Sequence, residues 1–227
     1  MSVLSSLFPF VVLGAIAGLD VVSFPQAMLS RPIVAATIAG ALGGHAAPGL
    51  LVGAALELFA LETLPFGASR YPEWGSASVV GGALFASHAD AGGGAIAVAV
   101  LAALATAGVG GWTMVQHRHL VGRWTGALRD SLAAGSSGAV SSLQFRGLTA
   151  DLIRGGAVTA LALAAFGPLS SWLLGTLHAG ESSRTVVAVL AGGTAGAAVW
   201  NVVHTTKGAA WLLAGGLVAG TVLVLAW

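Results

Sequence analysis

The residues best suited to chemistry lie in one stretch, 26–75. Glu57 stands mid-way along an otherwise apolar run, 49–61, where an ionised carboxylate is costly unless it faces a cavity or a partner. Upstream, Gln26 and Ser30 are four residues apart, on one face if the segment is helical. Arg31 follows, and it precedes Pro32, a position biased away from helical backbone. Downstream, Glu73 sits behind Pro72 in a polar connector with Gly67 and Ala68 at its start. A carboxylate, an Arg-Pro break and paired short apolar arms are features of a solute pathway, and lipid tolerates them in few other roles.

The elements that must carry these groups are short. The arms 33–44 and 49–61 are joined by Gly43-Gly44-His45-Ala46-Ala47-Pro48. At 1.5 Å rise per residue each arm is roughly 20 Å long, against about 30 Å of hydrocarbon, so neither crosses comfortably alone. A third short arm, 76–86, ends at Ser87-His88-Ala89-Asp90. Longer apolar runs are expected at 4–19, 91–115, 159–177, 185–203 and 208–227. The first has no Lys or Arg before it, so it reads as a retained helix and not as a cleaved signal peptide. Trp112 is placed as an interfacial anchor.

Composition fixes the class. Of 227 residues 56% are hydrophobic and 7% charged, where a soluble domain has about 25% charged; the mean hydropathy is +0.91. The chain is an all-α polytopic membrane protein, a single integral-membrane unit over 1–227, with transmembrane helices and half-length re-entrant hairpins. Its 34 glycines include GxxxG spacings (Gly14/Gly18, Gly40/Gly44, Gly49/Gly53, Gly192/Gly196, Gly216/Gly220) that let helices approach closely in a bilayer, although a Gly-rich chain also makes such spacings by chance. It has no cysteine, which excludes disulfides and thiolate metal sites. A net charge of +1 argues against nucleic acid as a partner. Five of the nine Lys/Arg fall in 116–156: Arg118, Arg123, Arg129, Arg146 and Arg154. With apolar residues at helical spacing, this segment reads as a cytoplasmic amphipathic pair of helices separated near 135–138, lying along the interface.

These residues carry a family resemblance. The run Gln26-Ala27-Met28-Leu29-Ser30-Arg31-Pro32-Ile33-Val34-Ala35 resembles the QxMxSRPIVAA signature of the IIC subunit of the mannose/fructose/sorbose-type sugar phosphotransferase system (PTS). Gly49 through Leu58 resembles that family's GxxxGxxLEL segment, and Gly67-Ala68 with Pro72-Glu73 its Gly-Ala…Pro-Asp connector. The present chain has Glu73 where Asp is commoner, and Arg70-Tyr71 before Pro72. The resemblance implies a sugar permease subunit of the bacterial inner membrane, multi-pass and elevator-transporter-like. It implies a IID membrane partner, a trimer of IIC–IID pairs, and cytoplasmic IIB and IIA phosphocarriers that perform the phosphoryl transfer. The chain itself is then not an enzyme and needs no cofactor.

On that footing Glu57 is expected to accept hydrogen bonds from sugar hydroxyls, with an ion pair to Arg31 as the structural alternative. Gln26 and Ser30 would supply hydrogen bonds beside it, unless Gln26 only caps a helix. Arg31 and Pro32 are expected to brace the hairpin. Gly67 and Ala68 would leave backbone groups open to ligand, and Glu73 would touch sugar or else be a solvated loop carboxylate. Glu62, roughly 140° around a helix from Glu57, is an end-of-arm charge. Tyr71 and Trp74 could stack on a sugar, but interfacial anchoring suits Trp equally. His117 and His119 are poorly spaced for a metal and read as interfacial or IIB-docking residues; His45, His88, His178 and His204 fall in breaks. Two other functions compete: a non-transporting regulatory or assembly paralogue, and a metal or vitamin transporter, which would want clustered His, Asp and Glu within its spans.

Overall fold

A computed structural model describes residues 3–62, 70–91 and 93–177, with Gly208, Trp211, 214–216 and Val218. Every described element is helical: α1 (Val3–Asp20), α2 (Pro32–Leu42), α3 (Ala46–Glu62), α4 (Trp74–Ser87), a 3₁₀ turn at Ala89–Ala91, α5 (Gly93–Ala127), α6 (Arg129–Ala133) and α7 (Ser137–Leu177). Gly67, Ala68, His178, His204 and the apolar runs expected at 185–203 and across most of 208–227 lie outside the described residues.

The short arms form as their punctuation dictates. Pro32 occupies the first turn of α2, where its missing N–H costs nothing, and Arg31 before it is extended (φ −62°, ψ 131°). Gly43 caps the other end, and Gly44 turns the chain with φ +83°, a conformation open to glycine and strained for other residues. The two helices then pack backbone to backbone. A Cβ at Gly40 would stand 2.7 Å from the Gly49 Cα, and one at Gly53 2.8 Å from the Ile33 Cα. Gly40, Gly49 and Gly53 therefore serve close packing, whereas Gly44 serves the turn. At 11 and 17 residues, α2 and α3 are about 17 and 26 Å long, shorter than the hydrocarbon core.

Helix α4 is the centre of the molecule. Every residue from Gly75 to Ala86 is buried, and the helix is ringed by α1, α2, α3, α5 and α7. Small residues make this possible: a Cβ at Gly82 would stand 2.4 Å from the Ala36 carbonyl oxygen. Towards the C-terminal half of α4, Val80, Leu84 and Phe85 join Val52, Leu56, Ile96, Val100 and Leu163 in the main apolar core.

Helices α5 and α7 are the long members, at 35 and 41 residues. Among the described residues they are the two helices long and apolar enough to cross a membrane. The end expected for α5 near Val115 is absent, because helical backbone continues to Ala127. Likewise α7 begins at Ser137 and runs unbroken through Pro168. At about 50 and 60 Å the two are longer than the about 30 Å of a hydrocarbon core. They run as an antiparallel pair, and apart from the short α6 the helical residues of 116–156 belong to these two long helices instead of forming separate ones. His117 Nε2 meets the Gly147 carbonyl within this pair (3.2 Å). Large apolar side chains on the outside, among them Leu101, Ile153, Leu161 and Trp172, form the surface expected towards lipid.

Candidate functional site

Several buried or half-buried polar side chains lie where α1 ends and α2 and α4 begin. The arrangement begins with Asp20, the last residue of α1. An acidic group at a helix C-terminus opposes the helix dipole, so its place needs partners. Asp20 is buried, and its Oδ1 accepts the Ala27 N–H (2.6 Å) while its Oδ2 accepts the Ser30 N–H and the Ser30 hydroxyl (both 2.9 Å). One carboxylate thus folds 27–30 back onto α1.

That loop is not helical, so the condition under which Gln26 and Ser30 would share a face is not met. Gln26 and Met28 both lie in the left-handed region, at φ 58° and 62°, which a helix excludes and which non-glycine residues occupy only when surroundings hold them there. Gln26 is exposed and its amide Nε2 donates to the Val22 carbonyl (3.1 Å), whereas Ser30 turns inward to Asp20.

Glu57 sits beside this loop. It forms an ion pair with Arg31, and its Oε2 accepts the Ile33 backbone N–H (3.1 Å). Ile33 is in the first turn of α2, whose N–H groups lack helical acceptors. A carboxylate on α3 therefore caps α2 and also neutralises the arginine before it. Side-chain exposures of 17% for Glu57 and 36% for Arg31 leave the pair reachable from outside. A carboxylate accepts about four hydrogen bonds, so it retains acceptor capacity.

Glu73 stands at the start of α4. It is the N-cap residue, with Oε1 accepting the Ser76 N–H (3.1 Å), the arrangement that satisfies a helix start. It is wholly buried, unlike a solvated loop carboxylate, and its Oε2 has no hydrogen-bond partner among the described residues. An unsatisfied buried carboxylate oxygen is costly. Ser76 Oγ donates to the carbonyls of Gly14 and Gly155 (both 3.3 Å), which ties α4 to α1 and α7.

Beneath these groups lies a buried ion pair, Asp151–Arg154, Nε to Oδ1 at 2.7 Å. Arg154 Nη2 donates to the Gly18 carbonyl (3.2 Å), one of the acceptors left open at the end of α1. Asp151 accepts the Ser23 hydroxyl. Sequence reading missed Asp20, Ser23, Asp151 and Arg154 as a unit. It counted Arg154 with the basic interfacial residues, yet Arg123, Arg129 and Arg146 are exposed and Arg154 is buried. The available signal was the i,i+3 Asp-x-x-Arg spacing at the edge of an apolar run.

Of the expected site residues, then, Ser30, Arg31, Pro32 and Glu57 come together at the start of α2, Glu73 stands apart from them as the cap of α4, and Gln26 lies on an exposed loop. Trp74 starts α4 half-buried, and Tyr71 is buried against α5. Chemically the assembly offers carboxylates, hydroxyls and an arginine, without an activated nucleophile: it can bind and orient a hydroxylated solute.

A sequence model of the family described as "PTS system sorbose-specific iic component" matches residues 5–189. No curated protein matches the chain at a significant level. Among solved structures, one described as "Structure of membrane protein" is similar with a TM-score of 0.65 over 99% of this chain and 95% of its own, at 19% identity. At that identity the likeness carries the fold alone.

Proposed function

Because the chain belongs to the sorbose-specific IIC component family of the sugar phosphotransferase system, whose members are membrane-embedded transport subunits, we propose that it is a sugar permease subunit whose site lies at the starts of α2 and α4. It moves a mannose/fructose/sorbose-class sugar across the bacterial inner membrane as one half of a pair with a IID membrane subunit, in a trimer of such pairs. Cytoplasmic IIB, loaded by IIA, phosphorylates the sugar. Movement of the site across the membrane follows an elevator scheme.

The observation that carries this reading is a pair of polar groups: Ser30, Arg31 and Glu57 gather around the start of α2, and Glu73 caps the start of α4 with one oxygen unpartnered among the described residues. Hydroxyl-bonding groups in a dry site discriminate strongly, because a wrong ligand leaves them unpaired. Gln26, Gly67 and Ala68 complete the proposed contact set, and Arg31 and Pro32 are its brace. The test is uptake of radiolabelled mannose, fructose and sorbose by cells expressing the chain with its partner subunits. Glu57→Gln and Glu57→Ala are expected to abolish uptake while the protein still inserts, and normal uptake by both variants removes Glu57 from the site. A second reading, a non-transporting paralogue, is favoured by the burial of Glu73 and by the engagement of both Glu57 oxygens. Sugar binding by the purified complex excludes it.

A further inference from the structure

The connector that delivers Glu73 is bound along one stripe of α5. Ala107, Gly111, Met114 and Arg118 recur at i, i+4, i+7 and i+11, which places them on one helical face. The Glu73 N–H donates to the Ala107 carbonyl (3.0 Å). A Cβ at Gly111 would stand 2.2 Å from the Tyr71 carbonyl oxygen, and one at Gly110 2.8 Å from the Glu73 Cβ and 3.0 Å from its Oε2. The connector backbone therefore lies directly on a glycine floor. Tyr71 is 7% exposed, and the Arg118 guanidinium covers its ring, 5.0 Å from the centroid. Arg118 Nη2 also reaches the Met114 sulfur (3.7 Å), and Met114 is buried. Arg70 Nη2 approaches the Gly108 carbonyl from the outer side (3.4 Å).

We propose that Tyr71 and Arg118 are positioning residues for sugar recognition: the stacked pair clamps the connector onto the Gly110–Gly111 floor and so fixes where the free Glu73 oxygen points. This rests on the sugar-site reading above and adds to it Tyr71, one of the residues by which the connector departs from the family pattern, and Arg118 of α5. Only Pro72 separates Tyr71 from Glu73, so a shift of the ring along α5 displaces the carboxylate, and hydrogen bonds to a sugar tolerate little displacement. Because Arg118 lies on the part of α5 that extends beyond the apolar span, the clamp also joins the sugar site to that extension.

The experiment is equilibrium binding of radiolabelled mannose, fructose and sorbose to the purified complex of the full chain with its membrane partner, after the amount of assembled complex has been matched. Tyr71→Ala and Arg118→Ala are each expected to weaken binding about tenfold, the scale of a desolvated cation–π contact. The double variant is expected to be no weaker than either single variant, since the two residues act as a unit. Tyr71→Phe, which keeps the ring face, is expected to bind within about twofold of wild type. Wild-type affinity in Tyr71→Ala or Arg118→Ala, or additive losses in the double variant, overturns the clamp. If Glu73→Gln loses binding while Tyr71→Ala does not, the clamp alone fails and the sugar site stands. If Glu73→Gln binds normally, or the wild-type complex binds none of the three sugars, both fail.

Discussion

At the scale of single residues, the carboxylates in and around the candidate site differ by what each has to satisfy. Asp20 holds a loop, Asp151 an arginine and a serine, Glu57 an arginine and a helix start, and Glu73 a helix start with one oxygen to spare. Asp151→Ala leaves Arg154 charged and buried, and removing one partner of a buried pair costs about 3–5 kcal/mol. A large fall in the thermal midpoint of the detergent-purified protein is expected, with much of it recovered in Asp151→Leu/Arg154→Met; no recovery would assign the loss to packing. Glu57→Ala should cost less, about 1–3 kcal/mol, since the half-exposed Arg31 can regain water while the Ile33 N–H is orphaned. Sequence made Glu57 conspicuous because it is a charge in an apolar run, and it named Arg31 as the alternative partner. Asp20 and Arg154 gave no such local contrast. Asp20 bonds a non-helical loop 7 and 10 residues on, which no periodicity marks. Beyond the i,i+3 pairing of Asp151 and Arg154, the contacts that tie this unit together lie 136 residues apart for Arg154 and Gly18 and 128 for Ser23 and Asp151, a distance no spacing rule reaches.

Among the elements, boundaries were legible wherever glycine or proline set them. Pro32 starts α2, Gly43 and Gly44 end it, and α4 ends at Ser87 before the His88–Asp90 break. The misreadings came where a composition change was taken for a structural break. Polar residues after Val115 leave α5 intact because a helix leaving an apolar layer needs no new backbone signal, only a polar surface. The loop at 26–30 is the opposite case: its i,i+4 spacing would suit a helix, but Asp20 captured the Ala27 and Ser30 N–H groups. Packing of α2 on α3 depends on absent side chains, so Gly49→Val should overpack the hairpin and cost about 1–3 kcal/mol. Gly44→Ala, with open space around it, should cost about 1–2 kcal/mol from backbone strain alone. A thermal-shift series on both variants checks this ordering. Equal or larger loss at Gly44 would contradict the close approach at Gly49.

For the whole molecule, composition alone was sufficient to name the class, and the short arms pointed to α2, α3 and α4 as half-length helices. What could not be read was their assembly: α4 buried at the centre, with α1, α2, α3, α5 and α7 around it. That arrangement follows from small residues on many helices at once, not from any one of them. The antiparallel extension formed by α5 and α7, with α6 joining them, carries exposed Arg123, Arg129 and Arg146, and the positive-inside bias predicts that it faces the cytoplasm. The chain contains no cysteine, so a single cysteine at Arg129 should be labelled by an impermeant thiol reagent in inside-out vesicles and spared in intact cells; the reverse pattern would invert the topology. The same natural background gives the most direct test of the sugar site. Single cysteines at Ser30, beside the start of α2, and at His45, on the exposed turn at the far end of the α2–α3 hairpin, are introduced into the full complex. The rate of thiol modification is then measured with and without saturating mannose, fructose or sorbose. The account predicts that at least one of the three sugars slows modification at Ser30→Cys and leaves His45→Cys unchanged. Equal rates at Ser30→Cys with and without every sugar, or protection confined to His45→Cys, would contradict it.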